Sequence, residues 1–446
     1  MAGEWREVEF QQVCDVSRGA SPRPIHDWVS ESGIPWVKIS DASSASSRYI
    51  EQTAECIRPE GRSRSVSVFP GDLILSNSAT PGIPMFMAIE ACIHDGWLLI
   101  RNFRGLDKLF AYYLLVHERP ALVEQGSGSV FTNLKTEILK KHKFRLPPLP
   151  EQRAIAHILG ALDDKIELNR RMSETLEEMA RALFKSWFVD FDPVRAKAAV
   201  RREHPTWTDE QVSRAACPNL KPEIATLFPD SFEDSELGEI PEGWEVGRFG
   251  DVAEHLRDQE NPLSSPQTLY QHFSIPAFDE EQWPKAEYGE AIKSQKWHVP
   301  DGVVLLSKLN PEIERVWLVD VCSGEHAVCS TEFLVLRARP PFTRSFLYCL
   351  ARSPLFRQQI EALVTGTSKS HQRAQVDSIL SLVVVVPPSS IVAAFDRSAD
   401  SLLARTIECR RESRTLAALR DALLPKLISG EIRVKDAERF LKQRGL

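Results

Sequence analysis

An ordered set of aromatic and apolar positions occurs twice along the 446 residues of the chain. Trp5, Phe10 and Val13 return 239 positions later as Trp244, Phe249 and Val252. Further matches keep the same order, among them Ser76 with Ser307, Trp97 with Phe333, Gly126 with Gly366, Leu176 with Leu416 and Leu183 with Leu423. Self-similarity at a nearly fixed spacing is typical of a duplicated structural unit. The sequence therefore predicts two similar halves.

The front part of each half has the composition of short strands with a few helices. Segments 33–39 and 303–307 are rich in β-branched residues and are bounded by Gly or Pro, which favours strands. Segments 110–118 and 346–353 have the pattern of short helices. We therefore expect an α+β protein, with one mixed domain in each half.

The rear part of each half predicts a long helix. In the first half, apolar residues alternate in steps of four and three from Ile155 onward, which is the heptad pattern of helices that pack along their length. The seam comprises Ile155, Leu159, Leu162, Ile166, Asn169, Ser173, Leu176, Ala180, Leu183 and Trp187. The second copy repeats the register more weakly through Phe395, Ala399, Leu402, Thr406, Cys409, Ser413, Leu416, Arg420, Leu423 and Leu427. Because duplicated halves are commonly related by a two-fold axis, we expect the two helices to form an antiparallel coiled coil.

The net charge of −7 is concentrated in one part of the chain. Eight acidic residues and no lysine or arginine lie between Pro222 and Gly247, which suggests a solvated connector. The predicted organisation is a first mixed domain at 1–149, a long helix at 150–190, an acidic connector at 191–243, a second mixed domain at 244–388, a second long helix at 389–430 and a tail at 431–446.

Motifs for catalysis are missing from the sequence. There is no phosphate-binding G-x-x-x-x-G-K-[ST] loop, no adenine-methyltransferase Asn/Asp-Pro-Pro-Tyr/Phe motif and no H-E-x-x-H zinc helix. The Asp163-Asp164-Lys165 fragment is similar to part of a nuclease motif, but its position in a helix favours a solvated face. The eight cysteines include no C-x-x-C pair, so we expect neither a metal site nor a redox dithiol. Because these motifs are missing, we expect a protein that is not an enzyme. No apolar run is long enough to cross a bilayer, so we expect a cytoplasmic protein.

Polar and basic residues at loops and strand ends are the candidates for nucleic-acid contact. A Gly/Ser/Thr loop precedes basic residues in both halves, and such loops suit phosphate contact, whereas Arg, Lys, Asn and Gln can reach base edges. The candidates are Lys38, Asn77, Ser127, Ser129, Lys135, Lys308, Asn310, Lys369, His371, Gln372 and Arg373. For any single member, a solvated surface residue is the competing interpretation.

Three stretches resemble a known family. Segment 147–194, which contains PPLPEQRAIAHILGALDDK, is similar to the central conserved region of type I restriction-modification specificity subunits. Segments 228–246 and 419–434 resemble the entry to the second half and the C-terminal conserved region of the same family. The resemblance implies two target-recognition domains that read the two parts of a bipartite, asymmetric DNA site.

The resemblance also implies partners. Two modification subunits would bring S-adenosylmethionine and methylate adenine, and two restriction subunits would bring ATP-driven translocation and cleavage with magnesium, so that this chain needs no cofactor of its own. The residues expected in the coiled coil or against a modification subunit are Glu151, Gln152, Ile155, Leu159, Leu162, Ile166, Leu176, Leu183, Leu402, Leu416 and Leu423. The second copy departs from the family's P-x-P-x-x-E-Q start, with Ser389, Ser390, Ile391 and Val392 in its place.

Two other functions stay open at this point. A decoy or assembly subunit that keeps the coiled coil but does not bind DNA would lose the basic loops, and a self-contained enzyme would need a cofactor pocket. A helix from Glu151 to about Phe188 would be roughly 57 Å long at 1.5 Å per residue. That length exceeds one DNA turn of about 34–36 Å, so two DNA readers at its ends would leave unread base pairs between them.

Overall fold

The computed structural model describes residues 5–126, 133–321, 324–364 and 372–442. The chain divides into two compact units. Unit 1 comprises Met1–Arg170 together with Arg411–Leu446, and unit 2 comprises Arg171–Arg410. Each long helix therefore contributes one part to each unit, which differs from the predicted division into consecutive segments.

Unit 1 contains two five-stranded sheets and a two-stranded ribbon. Its strands are β1 (Arg6–Glu9), β2 (Asp15–Arg18), β3 (Val29–Ser30), β4 (Ile34–Val37), β5 (Tyr49–Ile50), β6 (Glu55–Ile57), β7 (Val66–Val68), β8 (Leu73–Ser76), β9 (Pro84–Met87), β10 (Ala91–Ile93), β11 (Trp97–Arg101) and β12 (Lys143–Leu146). Its helices are α1 (Phe10–Val13), α2 (Ile39–Ser44), α3 (Lys108–Gly126), α4 (Thr136–Lys141) and the first part of α5 (Leu149–Phe188). The strand orders are β2-β11-β8-β9-β5 and β3-β6-β4-β10-β7, and β1 pairs with β12.

Unit 2 begins with the second part of α5 and continues with segment 191–243, where an acidic connector was predicted. This segment is folded, with helices α6 (Asp192–Glu203), α7 (Asp209–Ala216) and α8 (Pro222–Ala225) and a hairpin of β13 (Phe232–Ser235) and β14 (Gly238–Pro241). The buried Lys197 ammonium donates to the Ala225 carbonyl at 3.3 Å, and Arg201 pairs with Asp230 at 2.6 Å. The acidic side chains remain mostly exposed, so the charge pattern marked a solvated surface and the interpretation as a plain linker is wrong.

The rest of unit 2 repeats the mixed architecture of unit 1. Its strands are β15 (Glu245–Arg248), β16 (Ala253–Leu256), β17 (Gln259–Glu260), β18 (Leu269–Phe273), β19 (Lys285–Tyr288), β20 (Lys296–His298), β21 (Val304–Ser307), β22 (Val316–Leu318), β23 (His326–Cys329), β24 (Phe333–Ala338) and β25 (Val383–Val386). Its helices are α9 (Phe249–Val252), α10 (Ile275–Glu281), α11 (Arg344–Ala351), α12 (Pro354–Ala362), α13 (Val376–Leu380) and the first part of α14 (Ser389–Ser429); α15 (Val434–Lys442) belongs to unit 1.

Strand order shows the duplication directly. The order β16-β24-β21-β22 in unit 2 corresponds to β2-β11-β8-β9 in unit 1. The second sheet keeps β19-β18-β23-β20 in correspondence with β6-β4-β10-β7, and in both the pair β4–β10 or β18–β23 is parallel. The two units differ at the sheet edges, where unit 1 adds β5 to the first sheet and β3 to the second, and unit 2 adds β17 to the second. The α+β class and the internal repeat are confirmed.

The two long helices run antiparallel within each unit. In unit 1, Glu151 pairs with Arg433 and Asp163 with Arg420, so that position rises along α5 as it falls along the C-terminal segment. In unit 2, the ring of Phe184 on α5 lies 5.7 Å from that of Phe395 on α14. Most of the predicted seam is buried, including Ile155, Leu159, Leu162, Asn169, Ala180, Ala399, Leu416, Leu423 and Leu427, while Ile166, Leu176, Leu183 and Leu402 are partly buried. The heptad pattern therefore identified the packing face correctly.

Candidate nucleic-acid interface

Each unit has the same backbone arrangement where a central strand ends. In unit 1, β8 ends at Ser76; the next residue, Asn77, donates its N–H to the Gly96 carbonyl at 2.8 Å and accepts from the Leu134 N–H at 2.8 Å. In unit 2, β21 ends at Ser307; Lys308 donates to the Glu332 carbonyl at 2.9 Å and accepts from the Ala374 N–H at 3.0 Å. We call each arrangement a strand-end site. Leu134 and Ala374 follow the Gly/Ser/Thr loops, so the site joins the strand end to the chain that returns from that loop.

The strand-end site of unit 1 is organised around Asp95. Its carbonyl accepts from the Arg18 Nε at 2.8 Å and from the Asn77 side-chain amide at 3.1 Å. Its carboxylate accepts from the Ser21 hydroxyl and, at 3.1 Å, from Arg23 Nη2. Burial opposes ionisation, but the Ser21 hydrogen bond and the Arg23 guanidinium hold the pKa of Asp95 below its usual value. The aspartate therefore stays ionised and holds two exposed arginines.

The strand-end site of unit 2 is organised around His255 and Arg257. The Arg257 Nε donates to His255 Nδ1 at 3.3 Å, and Arg257 Nη2 lies 3.6 Å from Asp377. Burial, followed by the charges of Arg257 and Lys308, lowers the pKa of His255 to about 4. The ring is therefore neutral near pH 7, with its proton on Nε2, which is buried and has no hydrogen-bond partner among the described residues.

Lys308, Asn310, Gln372 and Arg373 come together in unit 2 as neighbours. The Asn310 N–H donates to the Gln372 carbonyl at 2.8 Å, and an isolated bridge pairs Leu309 with Arg373. Arg373 forms a bidentate ion pair with Glu332, with its shortest contact at 2.9 Å. Asn310 takes a left-handed backbone conformation with φ of +47°, which fits a loop held by surrounding contacts.

The candidates of unit 1 are less uniform. Lys135 is exposed at the start of α4, next to Leu134. Lys38 is partly exposed and pairs with Glu55. Asn77 is only 4% exposed and its side-chain amide donates to the Asp95 carbonyl, so this side chain is turned inward, and its contact with nucleic acid stays a prediction. Ser127, Ser129, Lys369 and His371 lie outside the described residues.

Sequence reasoning missed Arg18 and Arg257. A signal was available, because V-x-[D/E]-x-x-R occurs at Val13–Arg18 and again at Val252–Arg257, with the spacing of 239 that relates the halves. Neither arginine is among the matched positions from which the repeat was predicted.

Unit 1 has a buried polar cluster on the long helices. The Tyr113 hydroxyl donates to Asp163 at 2.6 Å, and Arg420 pairs with the same carboxylate at 2.8 Å. Arg48 completes the cluster, with Nη1 3.8 Å from Asp163 and Nη2 bonded to Asp164. Burial and the Asp163 carboxylate raise the pKa of Tyr113. Asp163 is therefore part of an ion-pair network, and the interpretation of 163–165 as a solvated face is wrong for this residue.

Unit 2 has a comparable cluster with a different arrangement of residues. Glu177 on α5 accepts from the Tyr348 hydroxyl at 2.9 Å and pairs with Arg352 at 3.1 Å and with Arg410 at 3.0 Å. Burial would raise the pKa of Glu177, but Arg410, Arg352 and the Tyr348 hydroxyl hold it below its usual value. In both clusters α5 supplies the carboxylate and α14 supplies an arginine.

Glu151 and Gln152 fasten the start of α5 inside unit 1. Glu151 accepts from the Trp5 indole at 3.1 Å and pairs with Arg433 at 3.0 Å. Gln152 is fully buried; it accepts from the Asp107 N–H at 2.7 Å and donates to the carbonyls of Gly105 and Pro147 at 3.0 and 2.8 Å. These contacts are internal to unit 1, and the contact of Glu151 and Gln152 with a modification subunit stays a prediction.

Comparison with known proteins agrees with this architecture. Residues 2–178 match the family described as "Type I restriction modification DNA specificity domain". The MjaIX specificity subunit of Methanocaldococcus jannaschii is 24% identical over 97% of this chain and 94% of its own length. The HindI specificity subunit of Haemophilus influenzae is 22% identical over 96% of this chain and its full length. The chain is therefore similar over nearly its whole length to type I restriction-modification specificity subunits.

A solved structure supports the fold of this chain. The S subunit of a type I restriction-modification system from M. genitalium aligns with 95% of this chain and 96% of its own, at a TM-score of 0.56 and 12% sequence identity. Among the described residues, no helix is long and apolar enough to span a bilayer, and no group of three His, Cys, Asp or Glu side chains is arranged to hold a metal ion.

Proposed function

We propose that this chain is a specificity subunit that reads a bipartite, asymmetric DNA target, with one part read at each strand-end site. The observation that carries the proposal is the repetition of one backbone arrangement with different side chains. Asn77 and Lys308 occupy the same place, as do Gly96 and Glu332. A common backbone would position each unit on DNA in the same way, and the exposed side chains that differ between the two sites would select different bases.

The family points to partners and cofactors. We infer that two modification subunits and two restriction subunits assemble on this chain in the cytoplasm, where the DNA is. The modification subunits would bring S-adenosylmethionine and methylate adenine, and the restriction subunits would bring ATP hydrolysis with magnesium. This chain would then act as a non-catalytic scaffold that sets where the complex binds.

The residues of the long helices that are buried within this chain are not available for contact with a modification subunit. Ile155, Leu159, Leu162 and Leu416 are used within unit 1, and Gln152 is satisfied internally. Contact with a modification subunit would therefore use the outer faces of the helices rather than the heptad seam. The heptad seam would then pack the two long helices against each other, and a modification subunit would bind the exposed faces of the packed helices.

The test uses the chain co-expressed with its modification subunit in a host that lacks adenine methylation. Long-read sequencing then maps methyl-adenine across the genome. We expect a single asymmetric motif of two defined parts separated by an undefined gap. One short undivided motif would contradict reading by both units.

Two controls separate the alternatives. A stable complex with the modification subunit but no methylation would favour the decoy or assembly function. Methylation by this chain alone, without the modification subunit, would favour a self-contained enzyme.

A further inference from the structure

Arg18 and Arg257 occupy equivalent places in the two units. Each lies five positions after a valine, Val13 or Val252. The Val13 carbonyl accepts from the Arg104 N–H at 2.7 Å, and the Val252 carbonyl accepts from the Arg339 N–H at 2.8 Å. In unit 1, Arg18 lies opposite Leu98, the second residue of β11. In unit 2, β16 pairs with β24 in the same register up to Leu256 opposite Val335, and Arg257 is the next residue. The two arginines are therefore repeats of one position.

Their guanidinium groups are held in the same way by different acceptors. The Nε of Arg18 donates to the Asp95 carbonyl, and the Nε of Arg257 donates to the His255 ring. In each, Nη2 faces a carboxylate, at 4.0 Å from Asp95 and at 3.6 Å from Asp377. Both side chains are 59% exposed, and in the described part of the chain Nη1 of neither donates a hydrogen bond. Each unit therefore presents one oriented, exposed guanidinium edge.

Both arginines lie beside the strand-end sites. In unit 1, Arg18 and the Asn77 side-chain amide both donate to the Asp95 carbonyl. In unit 2, the positive charges of Arg257 and Lys308 both help to lower the pKa of His255. Most side chains around them differ between the units. A residue that reads a base should change when the half-site changes, whereas phosphates are present in every half-site.

We propose that Arg18 and Arg257 are a matched pair of phosphate-contacting arginines, one for each part of the DNA target, that position the units on the duplex without reading sequence. The inference rests on the proposed function and assigns backbone contact and base selection to different residues. The repeated arginines hold the backbone, and the residues that differ between the sites select bases. Tethering through Nε reduces the entropy lost when the guanidinium binds a phosphate oxygen.

A guanine edge is the alternative ligand for such a group, because its N7 and O6 form an acceptor pair similar to that of a phosphate. Salt dependence and sequence dependence distinguish the two. Loss of a phosphate contact weakens binding to all sequences and lowers the slope of log K against log[salt] by about 1, whereas loss of a base contact relaxes specificity at one position.

The experiment measures binding of the full-length chain to a random-sequence duplex by fluorescence anisotropy between about 50 and 200 mM salt, the range over which phosphate contacts dominate. The variants are Arg18→Gln, Arg257→Gln and the double variant. We expect each single variant to lower the salt slope by about 1 and the double variant by about 2. Arg18→Lys with Arg257→Lys should retain most of the slope, because a lysine still neutralises a phosphate.

The matched control removes two exposed arginines elsewhere. Arg405 and Arg439 each pair with an acid three residues away on their own helix, so Arg405→Gln with Arg439→Gln makes the same charge change. We expect this control to keep the wild-type slope, and all variants to keep the wild-type thermal unfolding midpoint. Methylation mapping of the double variant with its modification subunit should return the wild-type motif.

Three results would overturn the inference. An unchanged salt slope would show that the arginines do not contact phosphate. A motif that loses one defined base in the Arg18→Gln or Arg257→Gln variant would make that arginine a base reader. A wild-type chain that does not bind the duplex at all would overturn the proposed function as well, which distinguishes that failure from the first two.

Discussion

The two strand-end sites have the same backbone hydrogen bonds and different electrostatics. In unit 1 a single ionised carboxylate, Asp95, organises two arginines, and the strand-end side chain, Asn77, is buried. In unit 2 a neutral histidine takes the place of Val16, and the strand-end side chain is the partly exposed Lys308. The comparison indicates that the backbone hydrogen bonds of the site, which the fold requires, are the same in both copies, whereas the side chains at the site have diverged. The predictions below are ways to test that separation.

The largest effect is expected at the buried carboxylate of unit 2. Glu177→Ala would remove the carboxylate that pairs with Arg410 and would leave Arg352 with Glu314 alone, which should cost about 3 kcal/mol of unfolding free energy. Asp163→Ala should have a smaller effect in unit 1, because Arg48 and Arg420 keep Asp164 and Asp421 as partners. Urea denaturation measures both, and the exposed neighbour Glu178→Gln is the control. A cost of less than about 1 kcal/mol for Glu177→Ala would mean that water replaces the carboxylate.

The second effect concerns sequence reading. Lys308→Asn gives unit 2 the strand-end residue of unit 1. If Lys308 contacts a base, discrimination at that position should fall by about 1–3 kcal/mol while the other part of the motif stays unchanged. Methylation mapping with the modification subunit measures this, with Lys140→Asn as the charge-matched control. Uniformly weaker binding with the same motif would instead assign Lys308 to phosphate contact.

The third effect compares the starts of the long helices. Gln152 bonds the loop before α3, whereas the equivalent Val392 is buried in apolar surroundings. Gln152→Val leaves the Asp107 N–H and the Gly105 and Pro147 carbonyls without their partner, at a cost of about 1–3 kcal/mol. Val392→Gln should cost a similar amount by burying an unpaired amide. Thermal unfolding tests both variants against the exposed His157→Val, and a neutral effect of either would show that the two helix starts are interchangeable.

The last effect is on the pH dependence of stability. Because the pKa of His255 is lowered to about 4 in the folded chain, the unfolded chain binds more protons between that value and the usual 6.5. Its contribution to stability is therefore fully present above about pH 6.5 and is lost as the pH falls toward 4. His255→Val, which places the residue of unit 1 in unit 2, should flatten the decline of stability over this range. An identical pH profile for the variant and the wild type would contradict the assigned protonation state.

Much of the architecture followed from the sequence because it depends on periodicity. The spacing of 239–240 predicted the duplication, and the steps of four and three from Ile155 predicted the buried face of α5. Strands at 34–37 and 304–307 followed from β-branched runs between Pro and Gly. These features are local or repetitive, so they can be read without knowing which distant residues meet.

The site could be predicted only in part. Lys308, Asn310, Gln372 and Arg373 were correctly placed at loop or strand-end positions, but nothing in the sequence shows that Asn77 is turned inward while Lys308 is partly exposed. The acidic segment before Trp244 was interpreted by its charge alone, and the buried contacts of Lys197 that fold it were not visible.

The sequence by itself determined the repeat, the mixed α+β class and the two long helices, because each depends on residue types at fixed spacing. Only the tertiary structure decided which side chains share a carboxylate, which guanidinium edges remain exposed and where His255 loses its charge. The physical reason is that burial and ion pairing depend on contacts between residues far apart in the chain. The 257 positions that separate Asp163 from Arg420 carry no local pattern that would predict their ion pair.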